Sequence, residues 1–346
     1  MSNEILKHHL LSAGPLLDEE GNISEAGYAF KLIKEYDRNK IGAPKLRIKE
    51  WDYYYLGNQE VGIALTVADN SYMTLVGASI FDFKKKTHHT KNIIKLLTRK
   101  RVLMPSSSAR GDIIYNDKNF SFTFKHENNK RHLVVEMKNF LDDKMLRADL
   151  YLEETLDDSM VIVTPFKKPK YFYYNQKINL LKVNGYAKVG ETTYDFNKDA
   201  YGVLDWGRGV WTYRNTWYWA SLSGEYEGKK LGFNLGYGFG DTSKASENTF
   251  FYDGKAYKLD DVKFDIPIAK NGKDDFLKPW TFRSKNKDID LIFEPLFNRA
   301  NATNALVIKS IQDQVFGTFK GTITIEGKKI YFENLIGFAE KVTNWW

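Results

Sequence analysis

Fifteen residues, Asp205–Trp219 (DWGRGVWTYRNTWYW), hold four of the chain's eight tryptophans together with Asp205, Arg208 and Arg214. Each indole brings a large rigid apolar surface and an N–H that needs an acceptor once buried. Ionisable groups interleaved with indoles suit a pocket that takes up an apolar molecule and presents a charge or a proton to it. The same composition also suits a core seam in which arginines stack on aromatic faces. In a strand, Trp217 and Trp219 share one face and Tyr218 takes the other.

A second constellation follows at Phe233–Gly240, FNLGYGFG. Period-two geometry puts Phe233, Leu235, Tyr237 and Phe239 on one face and Asn234, Gly236, Gly238 and Gly240 on the other. A strand with one bare face marks a bulge, a corner or the close approach of a ligand, and Asn234 is the polar side chain on that bare face. The glycine spacing is not a phosphate loop, because no Gly-Lys-Ser/Thr ending follows. Ser246-Glu247-Asn248 then places a carboxylate and an amide at a strand entrance. Asp205 and Glu247 together make a candidate pair of carboxyl groups for acid/base work, against the plainer reading of Glu247 and Asn248 as turn residues.

The chain has no cysteine, which excludes disulfides, thiol nucleophiles and Cys-ligated zinc. All six histidines lie within the first 132 residues, so a Ser-His-Asp triad or a His-rich metal site cannot be built within the Trp-rich region itself. Chemistry there falls to carboxyl, phenol, amide, guanidinium and ammonium groups, with no metal and no cofactor expected. No secretory signal and no apolar run of about 20 residues is visible, so a cytoplasmic location is expected.

These side chains need elements to position them. Hydrophobic residues make up 42% and aromatics 15% of the 346 residues, and spread Val, Ile and Thr favour β-structure. Asn119–His126 alternates with Phe120, Phe122 and Phe124 on one face, and Met145–Leu152 does so with Leu146, Ala148, Leu150 and Leu152. Ile323–Phe332 reads as a hairpin turning at Glu326-Gly327-Lys328, and Phe250–Tyr257 as one turning at Asp253-Gly254. Roughly 16–18 such segments are too many for one closed barrel. The expected organisation is a lead-in at 1–44, with a short helix from the Ser24 cap to about Asp37, and two all-β domains at 45–195 and 196–346.

The net charge of +7 is local. Lys84–Arg101 carries eight positive charges and no acid, leaving −1 for the remainder. Such concentration argues against a nucleic-acid-binding face. On a helical wheel over Lys84–Met104, Ile93, Ile94, Leu96, Leu97 and Met104 share a face opposite Lys91, Lys95 and Arg99. That is the pattern of a helix closing one end of a barrel, or of one resting on an anionic membrane.

The chain resembles the bacterial family catalogued as domain of unknown function 2804, nearly end to end. The likeness rests on KEWDYYY (Lys49–Tyr55), DWGRG with TYRNTWYWAS (Asp205–Ser221), GFNLGYG…EN…DG (Gly232–Gly254), PW (Pro279–Trp280), DLIFEP (Asp290–Pro295) and GFAE (Gly337–Glu340). More distantly it is similar to carotenoid 1,2-hydratases and their two-domain lipocalin-like relatives. Their Glu-Trp-Trp-Tyr start matches Glu50-Trp51-Asp52-Tyr53, and their Asp-His pair falls where this chain has Asp205-Trp206. The resemblance implies lipocalin-like antiparallel β-domains and, because the hydratase aspartate protonates an isoprenoid double bond, an acid role for Asp205. Burial would favour that role, whereas an ion pair with Arg208 would oppose it; a strand would separate the two side chains and a loop would let them meet.

The expectation is therefore two lipocalin-like β-domains with a barrel pocket for an apolar or amphipathic molecule of lipid or isoprenoid type. Trp51, Trp206, Arg208, Trp217, Trp219, Asn234 and Asn248 are its candidate binding residues, and Asp205 and Glu247 its candidate catalytic ones. A cytoplasmic carrier, a metal-independent acid-catalysed hydratase, cyclase or isomerase, and a ligand-free structural protein are the three classes to separate. A cavity of about 300 Å³ or more removes the last.

Overall fold

The computed structural model describes residues 8–96, 102–305 and 308–345. Two large antiparallel sheets of 13 and nine strands dominate it, each curled into a half-barrel around its own core. Strand-forming residues alternate cleanly wherever one face is buried: Phe122, Leu133 and Leu150 are fully enclosed in the first core, while their neighbours in sequence face outward.

Six strands of the first sheet position the candidate site: β1 (Ile48–Gly57), β2 (Val61–Asp69), β3 (Met73–Asp82), β4 (Thr87–Leu96), β5 (Phe172–Val189) and β6 (Tyr201–Val210). They lie side by side in the order β4-β3-β2-β1-β6-β5. The second sheet contributes β7 (Arg214–Tyr226), β8 (Lys229–Tyr237), β9 (Ile289–Ala305), β10 (Ile308–Ile325) and β11 (Lys328–Trp345), in the order β8-β7-β11-β10-β9. Each sheet has a concave face around its own core. Their other faces meet through Tyr53, Tyr55, Phe81, Trp219, Phe316 and Phe338.

Both expected hairpins form, with two-residue turns at Glu326-Gly327 and Asp253-Gly254. Three expectations are corrected. No helix follows Ser24, because Gly27–Ala29 pairs with Met160–Pro165 and the Tyr28 N–H is taken by the His9 carbonyl. These partnerships satisfy the backbone groups that a helix would have used internally.

The described part of Lys84–Met104 is not a helix either. Thr87–Leu96 is an edge strand paired with β3 along its full length. Lysines suit such an edge, since their charge discourages pairing with another chain. Ile93 packs on the first core, whereas Ile94 and Leu96 are exposed. Residues 97–101, which carry three of the eight charges, lie outside the described residues.

The change of sheet comes later than residue 196. Tyr201–Val210 pairs with β1 and β5 in the first sheet, and the second sheet opens only at Arg214.

Candidate functional site

A cavity of about 530 Å³ lies between the two sheets and not inside either half-barrel. This replaces the expected barrel pocket, and its size falls in the range of small-molecule sites. The registers explain its lining. Lys177, Asp205, Tyr53, Thr66, Gly77 and Asn92 are successive neighbours across β5, β6, β1, β2, β3 and β4. In the second sheet Gly236, Trp219, Glu340, Gln314 and Arg299 form the matching row across β8, β7, β11, β10 and β9.

The two rows face each other. The Lys177 ammonium sits 4.2 Å from the Trp219 ring centre. Further along, Gln314 Nε2 donates to the Tyr53 hydroxyl at 3.2 Å, and Arg299 donates to Ser79 Oγ at 2.8 Å. The cavity is consequently polarised. Trp51, Trp211, Trp217, Trp219, Tyr173 and Phe239 line it together with Asp205, while Arg299 and Asn301 lie on β9, three strands from Trp219 and Trp217.

Asp205 is held from three sides. Lys177 Nζ is 3.0 Å from Oδ1, Asn175 Nδ2 donates to the same oxygen at 2.6 Å, and Trp51 Nε1 donates to Oδ2 at 3.1 Å. Both carboxyl oxygens thus act as acceptors, one of them toward a cation. Arg208 is not among the partners. Because β6 is a strand, Asp205 and Gly207 face the cavity, whereas Trp206 and Arg208 turn into the first core. There Arg208 pairs with Asp52 at 3.1 Å and stacks on Trp206. Neither Trp206 nor Arg208 lines the cavity, which corrects their candidacy as ligand contacts.

Trp51 owes its seat to a missing side chain. A Cβ on Gly207, its cross-strand neighbour, would stand 1.9 Å from Trp51 Cζ2. The indole lies parallel to Tyr173 at 6.0 Å and edge-on to Trp211 at 5.0 Å, so it has little room to slide. Gly207→Ala is expected to push the indole out, break its bond to Asp205 and cost about 1–3 kcal/mol, the usual range for overpacking. Urea denaturation and the near-ultraviolet circular dichroism of the tryptophans measure both effects, and an unchanged spectrum would refute the seat.

Glu247 also reaches the cavity, its carboxyl carbon 3.3 Å from where a Gly236 side chain would begin. The bare face of FNLGYGFG thus accommodates a protein carboxyl group. Burial raises the Glu247 pKa, the Asp205 charge adds to the rise, and Lys177 opposes it. Asn234 and Asn248 stand behind the wall. Asn234 Oδ1 accepts from Trp219 Nε1 at 2.6 Å, and its amide donates to the Glu247 carbonyl at 2.8 Å. Asn248 joins the Gly236 N–H to the Asp260 carbonyl. Asn234 thus ties Trp219 to the Glu247 backbone and Asn248 ties β8 to Asp260; neither asparagine lines the cavity itself.

Several cavity groups escaped the sequence reading. Glu340, in the GFAE motif, accepts from Trp217 Nε1 and from Gln314 Nε2, each at 3.0 Å. Burial pushes its pKa up to about 7 against the pull of those bonds and of Arg299 and Lys177. His88 and His89 reach the cavity from β4, so imidazole is present after all, supplied by the first sheet. Lys177 had one local signal: Tyr173, Asn175 and Lys177 alternate with Tyr174, Gln176 and Ile178 in a stretch that is buried throughout. Among the described residues, no group of three or more His, Asp or Glu side chains is placed to hold a metal, and no helix is long and apolar enough to cross a membrane.

Two curled antiparallel half-barrel sheets joined in one chain, with an indole-walled cavity at their junction, define an all-β, lipocalin-like fold. The chain belongs to the family described as Domain of unknown function (DUF2804), whose profile matches residues 7–346. Among solved structures it is similar to kievitone hydratase from Nectria haematococca, with 13% identity over 95% of this chain and 98% of that one and a TM-score of 0.54. It is also similar to CghA, solved with Sch210972, with 8% identity, 95% and 97% coverage and a TM-score of 0.50. At these identities the likeness is one of fold. No curated protein matches the sequence.

Proposed function

We propose that this protein binds an apolar or amphipathic small molecule of isoprenoid or lipid type in the cavity between its sheets. The observation that carries the reading is the cavity wall itself. Four indoles drawn from both sheets enclose about 530 Å³, with a few polar groups placed among them, the usual make-up of a small-molecule site. Indoles offer a rigid apolar surface, and three of these four N–H groups are satisfied by Asp205, Glu340 and Asn234, whereas the buried Trp211 Nε1 has no partner among the described residues. A ligand can therefore cover Trp51, Trp217 and Trp219 without stranding a buried donor.

Native mass spectrometry of the freshly purified protein, followed by organic extraction, tests this. A defined lipid or isoprenoid at near-unit stoichiometry is the expected result. An apo mass that stays unchanged after exposure to total lipid extract would overturn it.

A second reading is acid catalysis on such a ligand: hydration, cyclisation or isomerisation. It is favoured by the three carboxyl groups, Asp205, Glu247 and Glu340, that line one apolar cavity. Kievitone hydratase, whose fold this chain shares, is by its name a hydratase. Asp205→Asn separates the readings. A carrier keeps its extracted ligand, whereas an acid catalyst depending on Asp205 keeps the ligand but loses turnover by about 10²-fold or more.

A further inference from the structure

We propose that Arg299 is the seat for the acidic head group of the ligand, so that the cavity takes an amphipathic carboxylic acid whose body lies among the indoles. The inference rests on the binding reading above and narrows its ligand class.

Among the described residues two strongly basic side chains line the cavity, and only Lys177 forms an ion pair. Lys177 is paired with Asp205 at 3.0 Å and covered by the Trp219 ring. Arg299 donates from Nη1 to Ser79 Oγ and forms no ion pair among the described residues. The acid in its row, Glu340, is two strands away, with Gln314 between them. Both Glu340 oxygens are already engaged by Trp217 and Gln314.

A guanidinium has five N–H donors in a planar fork. One is used here, and the rest suit the two oxygens of a carboxylate. A single uncommitted guanidinium balances one negative charge, which favours a carboxylate over a phosphate or diphosphate.

Position supports the same assignment. Arg299 faces Ser79 on the first sheet and lies with Asn301 on β9, three strands from Trp219. The tryptophans line the cavity together with Asp205. A molecule lying along the two rows therefore meets rings first and the Arg299 guanidinium last.

Retinoic acid and retinol share one isoprenoid body and differ at the head group, which makes them matched probes. Their affinities for the full-length protein are read from quenching of tryptophan fluorescence, with native mass spectrometry confirming stoichiometry. The wild type is expected to bind the acid about tenfold more tightly than the alcohol, the scale of one charge-assisted contact. Arg299→Gln should erase that preference by weakening the acid alone, and Arg299→Lys should restore part of it. Unchanged retinol binding by Arg299→Gln is the internal check that the variant is folded.

Equal affinity of the wild type for both probes, or a preference that survives in Arg299→Gln, would overturn the assignment while leaving the binding reading intact. Failure of the wild type to bind either probe would remove both.

Discussion

Arg208→Met is expected to lower the free energy of unfolding by about 3–5 kcal/mol, the range for breaking a buried ion pair from one side. Arg208 is completely enclosed. It donates to Asp52 Oδ1 at 3.1 Å and, at 2.8 Å each, to the carbonyls of Trp51, Gly207 and Pro105. Burial raises the Asp52 pKa and lowers that of Arg208, and in each case the attraction of the partner only partly opposes it. Desolvation opposes the charged form of both partners, and removing the cation leaves the buried Asp52 carboxyl and the Trp51, Gly207 and Pro105 carbonyls without these bonds. The double variant Asp52→Leu with Arg208→Met should regain a large part of the loss, because no lone charge then remains. Urea denaturation of the two single variants and the double variant gives the coupling directly. A single-variant loss below about 1 kcal/mol, the scale of an exposed pair, would contradict the buried-pair account. The consequence reaches the cavity because the Trp51 carbonyl rests on this guanidinium while its indole forms the wall.

The same strand shows what could and could not be read beforehand. Alternation at Phe120–Phe124 and Leu146–Leu152 identified strands because one face of each is sealed in a core and the other is not. Alternation likewise put Trp217 and Trp219 on one face, and both line the cavity. For Asp205 and Arg208 the sequence left a strand and a loop open. The strand forms, and it sends Trp206 and Arg208 to the core that the DWGRG motif had made to look like a site.

The Lys84–Met104 pattern misled because apolar residues at 93, 94 and 96 fit a helical face as well as a strand whose edge is blunted by lysines. Glu340, Gln314 and Arg299 were invisible for another reason. Each becomes a cavity group only through registers joining strands far apart in the chain, such as Trp219 opposite Glu340. No local pattern encodes such a register. The back-to-back contact of the sheets, which creates the cavity, is hidden in the same way.

Glu340 carries the other large effect. An ordinary glutamate loses its proton near 4.5, whereas burial holds this one to about 7 in the folded protein. Between those values the folded state binds more proton than the unfolded chain, so stability must fall as pH rises through the window. Below about 4.5 the contribution is fully present; above about 7 it is fully lost. A shift of this size corresponds to about 3 kcal/mol. Glu247, also raised by burial, adds to the same slope. The clean quantity is therefore the difference between wild type and Glu340→Gln, measured by urea denaturation from pH 4.5 to 8. The glutamine keeps an acceptor for Trp217 Nε1 but cannot ionise. The variant should match or trail the wild type at pH 4.5 and gain on it steadily toward pH 8. A difference that stays flat with pH would mean that the carboxyl is not held protonated by burial. The outcome also bears on the acid reading. Asp205 has both oxygens engaged, one of them toward a lysine, whereas Glu340 faces the same cavity with only uncharged donors bonded to it. A difference that grows with pH would show that Glu340 still carries a proton near neutral pH, as the delivery of one to an apolar ligand requires.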